Sequence, residues 1–450
     1  METNVSLAAD ATAVDAMSDA SLRHGLVNPT VLLVSLFHPE LVRGGSQQVC
    51  YELFQGLRAA DDVRPVLLAS VDSNYPALFK SGARITGFDG KHDEFLFLSR
   101  SYDYMWHRVQ EPLLVESYAE FLENVRPDVV HFHHFLTFGI DFVTLTRRIL
   151  PHAKIVFTFH EFLAMCMAHG HMVRTTDGAP CDHESQVRCH QCFPERAPED
   201  FFTRKLWFQK HLENVDVFTC PSRYMLDRYV AWGIPESKIR YVANGQRNYA
   251  ANHMPRTSRP AASAKRNRFG FFGQLIDNKG VQVLLKAVEF LRADGFTDFR
   301  VDINGGNERY ATEPVRAEIQ AFMEAENKLP AAERLVFFNG EYESTNIGGR
   351  MERIDWCIVP SLWWETFVLV ISEAWMFGKP VICSNIGAMS ERVQDGVNGL
   401  LFEMGDAAAL AETIRRAATE EGLWDRLAAA SPAPPSRDDM VKSFRAVYGI

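Results

Sequence analysis

Short apolar runs rich in β-branched residues recur along this chain with helix-length stretches between them. No other feature constrains the fold as much, because the alternation is the signature of parallel sheets built from βαβ units. In the first half the runs fall at 31–37, 66–70, 129–133, 155–160, 217–221 and 239–243. The pattern restarts at 269–273, 300–304, 335–339, 356–360, 380–383 and 400–402. Between the two series, residues 247–268 read RNYAANHMPRTSRPAASAKRNR, a linker composition rich in Pro, Ala, Ser and basic residues. Length alone would give about three domains, but the pattern gives two larger ones. The expected class is α/β, with two doubly wound domains facing one another. Ligands of such sheets bind at the carboxyl ends of the strands, so the cleft between the domains is the expected site.

The formal net charge of −10 lacks the basic excess of a general nucleic-acid binder. The first thirty residues, METNVSLAADATAVDAMSDASLRHGLVNPT, have neither the basic start nor the apolar core of a signal peptide. Residues 1–28 therefore read as a mobile leader. No apolar run approaches the ~20 residues of a membrane-spanning helix. Eight cysteines without an export signal indicate reduced thiols and a cytoplasmic location.

Chemistry is expected at strand ends. After the first strand of the second half comes GQLIDNKGVQVLLKA, 273–287, in which Gly273 and Gly280 frame a loop that leads into a helix. Loop glycines let backbone approach a phosphate, a helix N-terminus adds partial positive charge, and Lys279 adds a full one. Further on, PSLWWETFVLVISEAWMFGKPVI, 360–382, places Glu365 and Glu373 eight positions apart among apolar residues. On one continuous helix that spacing leaves the two about 80° off a common face. The pair makes sense if Glu365 ends a loop and Glu373 lies in the following helix. That helix would begin after Glu365 and Thr366 and offer free backbone N–H groups to a second phosphate edge. In the first half, a Gly44-Gly45 pair at a helix entrance is either a tight turn or a place where substrate passes close to the backbone. His160 and Glu161 follow a strand at its cleft-facing end.

These motifs, taken in order, resemble the retaining, sugar-nucleotide-dependent glycosyltransferases of family 4, which have the GT-B fold. The resemblance runs from about residue 31 onward. Its specific parts are NGQ at 244–246, FFGQLIDNKGV at 271–281, VDINGG at 301–306, VFFNGEY at 336–342, and the block from 355 to 402 with its E-x7-E, G-K-P-V-I and E-x3-D-G-x-N-G elements. It implies an N-terminal, acceptor-side Rossmann-like domain over 29–246 with a Cys-bearing insert at 161–200, a C-terminal nucleotide-sugar domain over 269–432, and a last helix, 433–450, returning to the N-terminal domain. It also implies roles. Glu365 would contact the donor sugar and Glu373 the nucleotide ribose. The amides of Phe367, Val368 and Leu369 would cap the diphosphate, which Lys279 would neutralise. His160 would stand near the reacting sugar, and Gly45 in the loop beside the phosphates. In two places the chain departs from the family pattern. Gln274 stands where the family commonly has arginine, so one diphosphate charge is absent or comes from another residue. Val368 stands where glycine is common, so the backbone there is not expected to use positive φ.

The implied activity is transfer of a hexose-type sugar from a nucleoside diphosphate to a glycan or lipid-linked acceptor, with retention, in bacterial surface-polysaccharide assembly. A sugar-nucleotide epimerase and a non-catalytic sugar-nucleotide binder on the same fold are the alternatives. No cofactor is expected for catalysis, because the chain contains no Asp-x-Asp to ligate a divalent ion. Two further features stay open. Cys166, Cys181, Cys189 and Cys192, the last two as C-x2-C, supply either four soft ligands for a structural zinc or merely packed thiols. The stretch FFTRKLWFQKHLENV, 201–215, mixes Arg204, Lys205 and Lys210 with large aromatics. It either docks on the inner face of the plasma membrane or packs on its own domain.

Overall fold

The computed structural model describes residues 28–71, 78–79, 82–250, 265–343 and 346–450. The leader, apart from residue 28, and the 251–264 part of the linker lie outside them. The first series of runs forms a sheet from β1 (Thr30–Ser35), β2 (Arg64–Ser70), β3 (Ile85–Gly87), β4 (Glu94–Phe97), β7 (Val129–Phe132), β8 (Lys154–Thr158), β9 (Val217–Cys220) and β10 (Ile239–Tyr241). A separate hairpin pairs β5 (Tyr102–Asp103) with β6 (Arg108–Val109). The strand order is β10-β9-β8-β7-β1-β2-β4-β3, and every pairing is parallel except β3 with β4. The second series forms a wholly parallel sheet from β11 (Arg268–Phe272), β12 (Arg300–Asn304), β13 (Val336–Phe338), β14 (Trp356–Val359), β15 (Val381–Ser384) and β16 (Gly399–Phe402), in the order β13-β12-β11-β14-β15-β16. The order reverses beside β1 in one sheet and beside β11 in the other. These are the switch points at which open α/β sheets hold ligands.

The central strands, such as β1, are largely apolar because both faces are covered. In β1, Leu32 and Val34 join one core while Val31 and Leu33 join the other. The second of these cores is closed by the helices Gly45–Arg58 and Arg437–Tyr448. The final helix belongs there because Met440, Phe444 and Tyr448, four residues apart, bury one stripe against the first sheet. Burying each is worth about 1.5–3 kcal/mol as an upper figure. Ser436 caps this helix in a capping box with Asp439. Gly245 lets the chain cross beneath it, since a Cβ there would fall 2.1 Å from the Ser436 carbonyl oxygen. Among the described residues no helix is long and apolar enough to cross a membrane.

Four strands, β3 to β6, escape the run-based reading. They are two to four residues long and mix polar with apolar side chains. The expected run 155–160 stops short, with β8 ending at Thr158. His160 therefore sits in the loop just past the strand end.

Candidate active site

At the carboxyl edge of the second sheet, Glu365 lies in the loop after β14 and Glu373 in the helix Leu369–Met376. Glu365 is buried, and its Oε1 accepts from Lys279 Nζ at 2.7 Å and Ser361 Oγ at 2.8 Å. Lys279 reaches it from a 3-10 turn after β11, closed by Gly280 at φ +70°. Only glycine fits at 280, because a Cβ would lie 1.8 Å from the Pro360 carbonyl oxygen. Glu373 does not join this pair. It is buried beside Gln246, whose Nε2 donates to Glu373 Oε1 at 3.1 Å. With that single neutral partner, desolvation raises its pKa to about 7.

Between the two carboxylates the backbone corrects one expectation. Val368 adopts φ +65° and ψ +84°, the left-handed region, where a β-branched residue is a genuine outlier. What over-determines it is Arg392, whose Nη1 donates to the carbonyls of Phe367 (2.7 Å) and Val368 (2.9 Å) and whose Nη2 donates to Ser372 Oγ (2.7 Å). Burial lowers Arg392 only to about 10, so it remains charged at neutral pH. Among the described residues, the amides of Phe367, Val368, Leu369 and Val370 find no acceptor in the chain. They form an open donor array at a helix start, able to hold an anion.

The facing edge of the first sheet is built from imidazoles. His160 Nε2 lies 3.0 Å from His133 Nδ1, with the rings stacked 5.2 Å apart at 19°. His131 bonds Tyr448 Oη (2.7 Å) through Nδ1 and Thr158 Oγ1 (2.6 Å) through Nε2. Burial lowers His160 to about 3 and drives His131 and His133 well down, so all three are neutral. His134 Nε2 and Glu161 Oε1 stand 3.3 Å apart. Burial pushes this imidazole down and this carboxyl up, so they meet as neutral base and neutral acid. The edges touch where Thr366 Oγ1 donates to the His160 carbonyl at 2.8 Å. Gly45, the first residue of its helix, is exposed, and a Cβ on it would face Leu369 across the cleft at 3.8 Å. Gly44 is the extended N-cap, with φ −171°.

The structure thus brings Glu365, Lys279, Thr366, the 367–369 amides and His160 to one cleft, and sets Glu373 apart beside Gln246. Gln274 is exposed and has no polar side-chain partner among the described residues. Sequence reasoning gave no role to Arg392, Gln246, His131, His133 and His134. Three histidines in HFHH at a strand end, and a basic residue in the E-x3-D-G block, were the available signals. In the aromatic helix, Pro198–Leu212, the charges are turned inward or paired. Arg204 is buried and donates to three backbone carbonyls, Lys205 pairs with Glu184 and Lys210 with Glu213.

Residues 43–246 match the family model described as Glycosyltransferase Family 4, and residues 266–420 match that described as Glycosyl transferases group 1. A D-inositol 3-phosphate glycosyltransferase of Corynebacterium diphtheriae is 24% identical over 65% of this chain and 63% of its own length. A phosphatidyl-myo-inositol mannosyltransferase of Mycobacterium leprae is 27% identical over 36% of this chain and 39% of its own. The chain therefore aligns with less than two thirds of either relative. Among solved structures, sucrose-phosphate synthase from Thermosynechococcus elongatus superposes with a TM-score of 0.66 at 16% identity, over 94% of this chain and 98% of that one. Anabaena HepE in complex with UDP and glucose does so with 0.62 at 15%, over 93% and 99%.

Proposed function

From a chain that belongs to glycosyltransferase family 4 and has the GT-B fold, we propose transfer of a hexose-type sugar from a nucleoside-diphosphate donor to an acceptor hydroxyl, with retention of anomeric configuration. The observation that carries this reading is the juxtaposition of the Lys279–Glu365 pair with the amides of Phe367 to Leu369, unpartnered among the described residues, opposite His160. The amides and Lys279 supply positive potential where the departing diphosphate gains charge. Arg392 holds that array from behind rather than touching the phosphates. Glu365 then contacts the sugar, and His160 donates or accepts a hydrogen bond at the reacting centre as a neutral ring. Glu373 takes the ribose hydroxyls in place of Gln246. On this account the charge expected from an arginine at 274 is supplied by the amide array, and transfer needs no added divalent ion.

The acceptor is proposed to be a glycan or lipid-linked intermediate of a bacterial surface polysaccharide, a reading supported by the family resemblance alone. Membrane contact would have to rest on the exposed Phe202 and Leu206, since the cations of that helix are already engaged. Vesicle sedimentation tests it, and failure to bind anionic vesicles removes it. The test of the main proposal is a panel of nucleotide sugars, UDP-glucose first, scored by thermal stabilisation and then by transfer to acceptor before and after brief chelation. Transfer that survives chelation supports the reading. Donor interconversion without acceptor would identify an epimerase, stabilisation without turnover a sensor, and activity lost to chelator and restored by magnesium would overturn the charge assignment.

A further inference from the structure

The insert that follows His160 enters the first-sheet core through Phe162 to Met165 and Met172, but from 173 to 200 none of its residues is buried. Its helix, Gln186–Cys192, buries no residue. Yet the insert carries contacts to the other half of the molecule. Trp364 Nε1, beside Glu365, donates to the Cys181 carbonyl at 2.9 Å, and His171 Nε2 lies 3.5 Å from Asn278 Nδ2. Something has to hold such a segment in shape, and hydrophobic burial supplies little of it.

Cys166, Cys181, Cys189 and Cys192 all line a single cavity of about 30 Å³, whose other walls include Met165, Met172 and Phe201 and the charged Arg174, Glu184 and Arg188. That is room for one small occupant. The four thiols come from three stretches of the insert. Two come from a C-x2-C on one short helix, one from the turn at 166, and one from just past the Val173–Pro180 bridge. None of the four is in a disulfide. A second observation concerns charge. Arg204 is 3% exposed and makes no ion pair among the described residues. Among the described residues its donors reach only the carbonyls of Met105, Ala164 and Leu163, at 3.0, 2.7 and 2.7 Å. It stands within electrostatic reach of Cys166, Cys189 and Glu161, and burial pushes the Glu161 carboxyl up to about 8, so that it is largely neutral at pH 7. A buried guanidinium without an anion is costly, and a divalent ion on four thiolates, with net charge −2, would compensate it.

We propose that Cys166, Cys181, Cys189 and Cys192 bind one zinc ion in a structural tetrathiolate site that ties the insert into one body. Binding displaces four thiol protons and involves no redox step. The four sulfurs ring the cavity loosely. Among the described residues, only His38, Glu40 and Glu94 bring three ligand atoms within 4.8 Å of one another. That trio already holds a cation, Lys91 Nζ, at 2.8 Å from Glu40 and 3.2 Å from Glu94. Zinc therefore draws Cys181 and the C-x2-C knuckle inward as it binds, and so tightens the segment that meets Trp364.

The experiment uses the full chain, purified without metal-affinity steps, and does not depend on activity. Elemental analysis should find about one zinc per chain, released when a mercurial blocks the thiols. After zinc removal, cobalt should give the intense visible bands of a tetrahedral thiolate complex and saturate at one equivalent. Cys181→Ser and Cys189→Ser should each reduce retained zinc severalfold, whereas Cys50→Ala, in the core of the first sheet, should not. If the cysteine variants do not fold, the cobalt titration of the unaltered chain decides. Metal-free protein, cobalt spectra without thiolate charge-transfer bands, or a disulfide among these four cysteines found by peptide mapping under inert gas would each overturn the proposal.

Discussion

The two edges of the cleft are made of opposite materials. The second-sheet edge is charged, with the Lys279–Glu365 ion pair, the cationic Arg392 and a row of amides without acceptors among the described residues. The first-sheet edge is polar but neutral, because burial holds His131, His133, His134 and His160 unprotonated and Glu161 protonated. An edge that binds a dianionic leaving group needs fixed positive potential, and a helix start and a lysine provide it. An edge that meets a sugar needs directional hydrogen bonds, and uncharged imidazoles provide those at every physiological pH. In the proposed reaction the division of labour follows the division of charge.

The sharpest way to break this comparison lies on the charged edge. Glu365→Ala should lower transfer by about two to three orders of magnitude, the scale seen when one preorganised polar contact to a transition state is lost. Nucleoside diphosphate affinity should stay within about threefold, because the lost contact is to the sugar. Glu373→Ala should do the reverse, weakening nucleotide binding about tenfold, or 1.4 kcal/mol, with a smaller change in turnover at saturation. Calorimetry and rates that interchange these effects would reassign both carboxylates.

On the neutral edge the expected loss is smaller. His160→Ala should reduce turnover about 10- to 100-fold while leaving donor affinity nearly unchanged, since a hydrogen bond that strengthens as the sugar becomes oxocarbenium-like acts mainly on the transition state. An unchanged rate at saturating donor would leave His160 with only the stacking role that its 3.0 Å contact to His133 already gives it.

How the edges respond to pH separates them further. Burial raises Glu373 to about 7, while an unfolded glutamate titrates near pH 4.3. The folded chain therefore holds an extra proton between about pH 4.3 and 7. The stability it contributes is complete below the unfolded value and is lost as pH rises to about 7. Nucleotide affinity should run the other way, because ribose hydroxyls donate to the ionised carboxylate. It should fall up to about tenfold per unit as pH drops below 7. UDP titrations of the parent and of Glu373→Gln isolate this effect, since the titration of the phosphate itself is common to both. The imidazoles add no inflection between about pH 5 and 8, and a histidine-dependent step in that window would contradict the neutral edge.

The charged edge was also the legible one. Lys279 between glycines, and two glutamates straddling a loop and a helix, are local patterns, and local patterns survive in a sequence. So do strands buried on both faces, which is why β1, β7 and β11 to β16 were readable as runs. The neutral edge was not legible in this way. His133 and His160 meet only because β7 and β8 are paired, with Phe132 beside Phe157, and neither strand announces its neighbour. Gln246 was visible as part of NGQ, but its bond to Glu373 spans 127 positions. The short strands β3 and β4 owe their pairing to the sheet edge rather than to their own composition.

The smallest predicted effect tests a place where local reasoning failed. Valine at 368 argued against positive φ, yet Val368 holds φ +65°, because the carbonyls on either side of its own amide are both drawn to Arg392. Such a conformation costs a β-branched residue about 1–3 kcal/mol. Val368→Gly relieves that strain. It also gives up the packing of a half-buried valine, at most about 1.5 kcal/mol, and adds about 0.5–1 kcal/mol of backbone entropy to be lost on folding. The terms nearly cancel, so the denaturation midpoint at unchanged slope should report a stability within about 1 kcal/mol of the parent. The amide array is backbone and should survive, so UDP affinity should change little. A loss above about 2 kcal/mol would mean that the turn is not strained and that valine is there for its packing. If stability holds but UDP affinity collapses, the side chain rather than the Arg392 clamp is what aims the amides into the cleft.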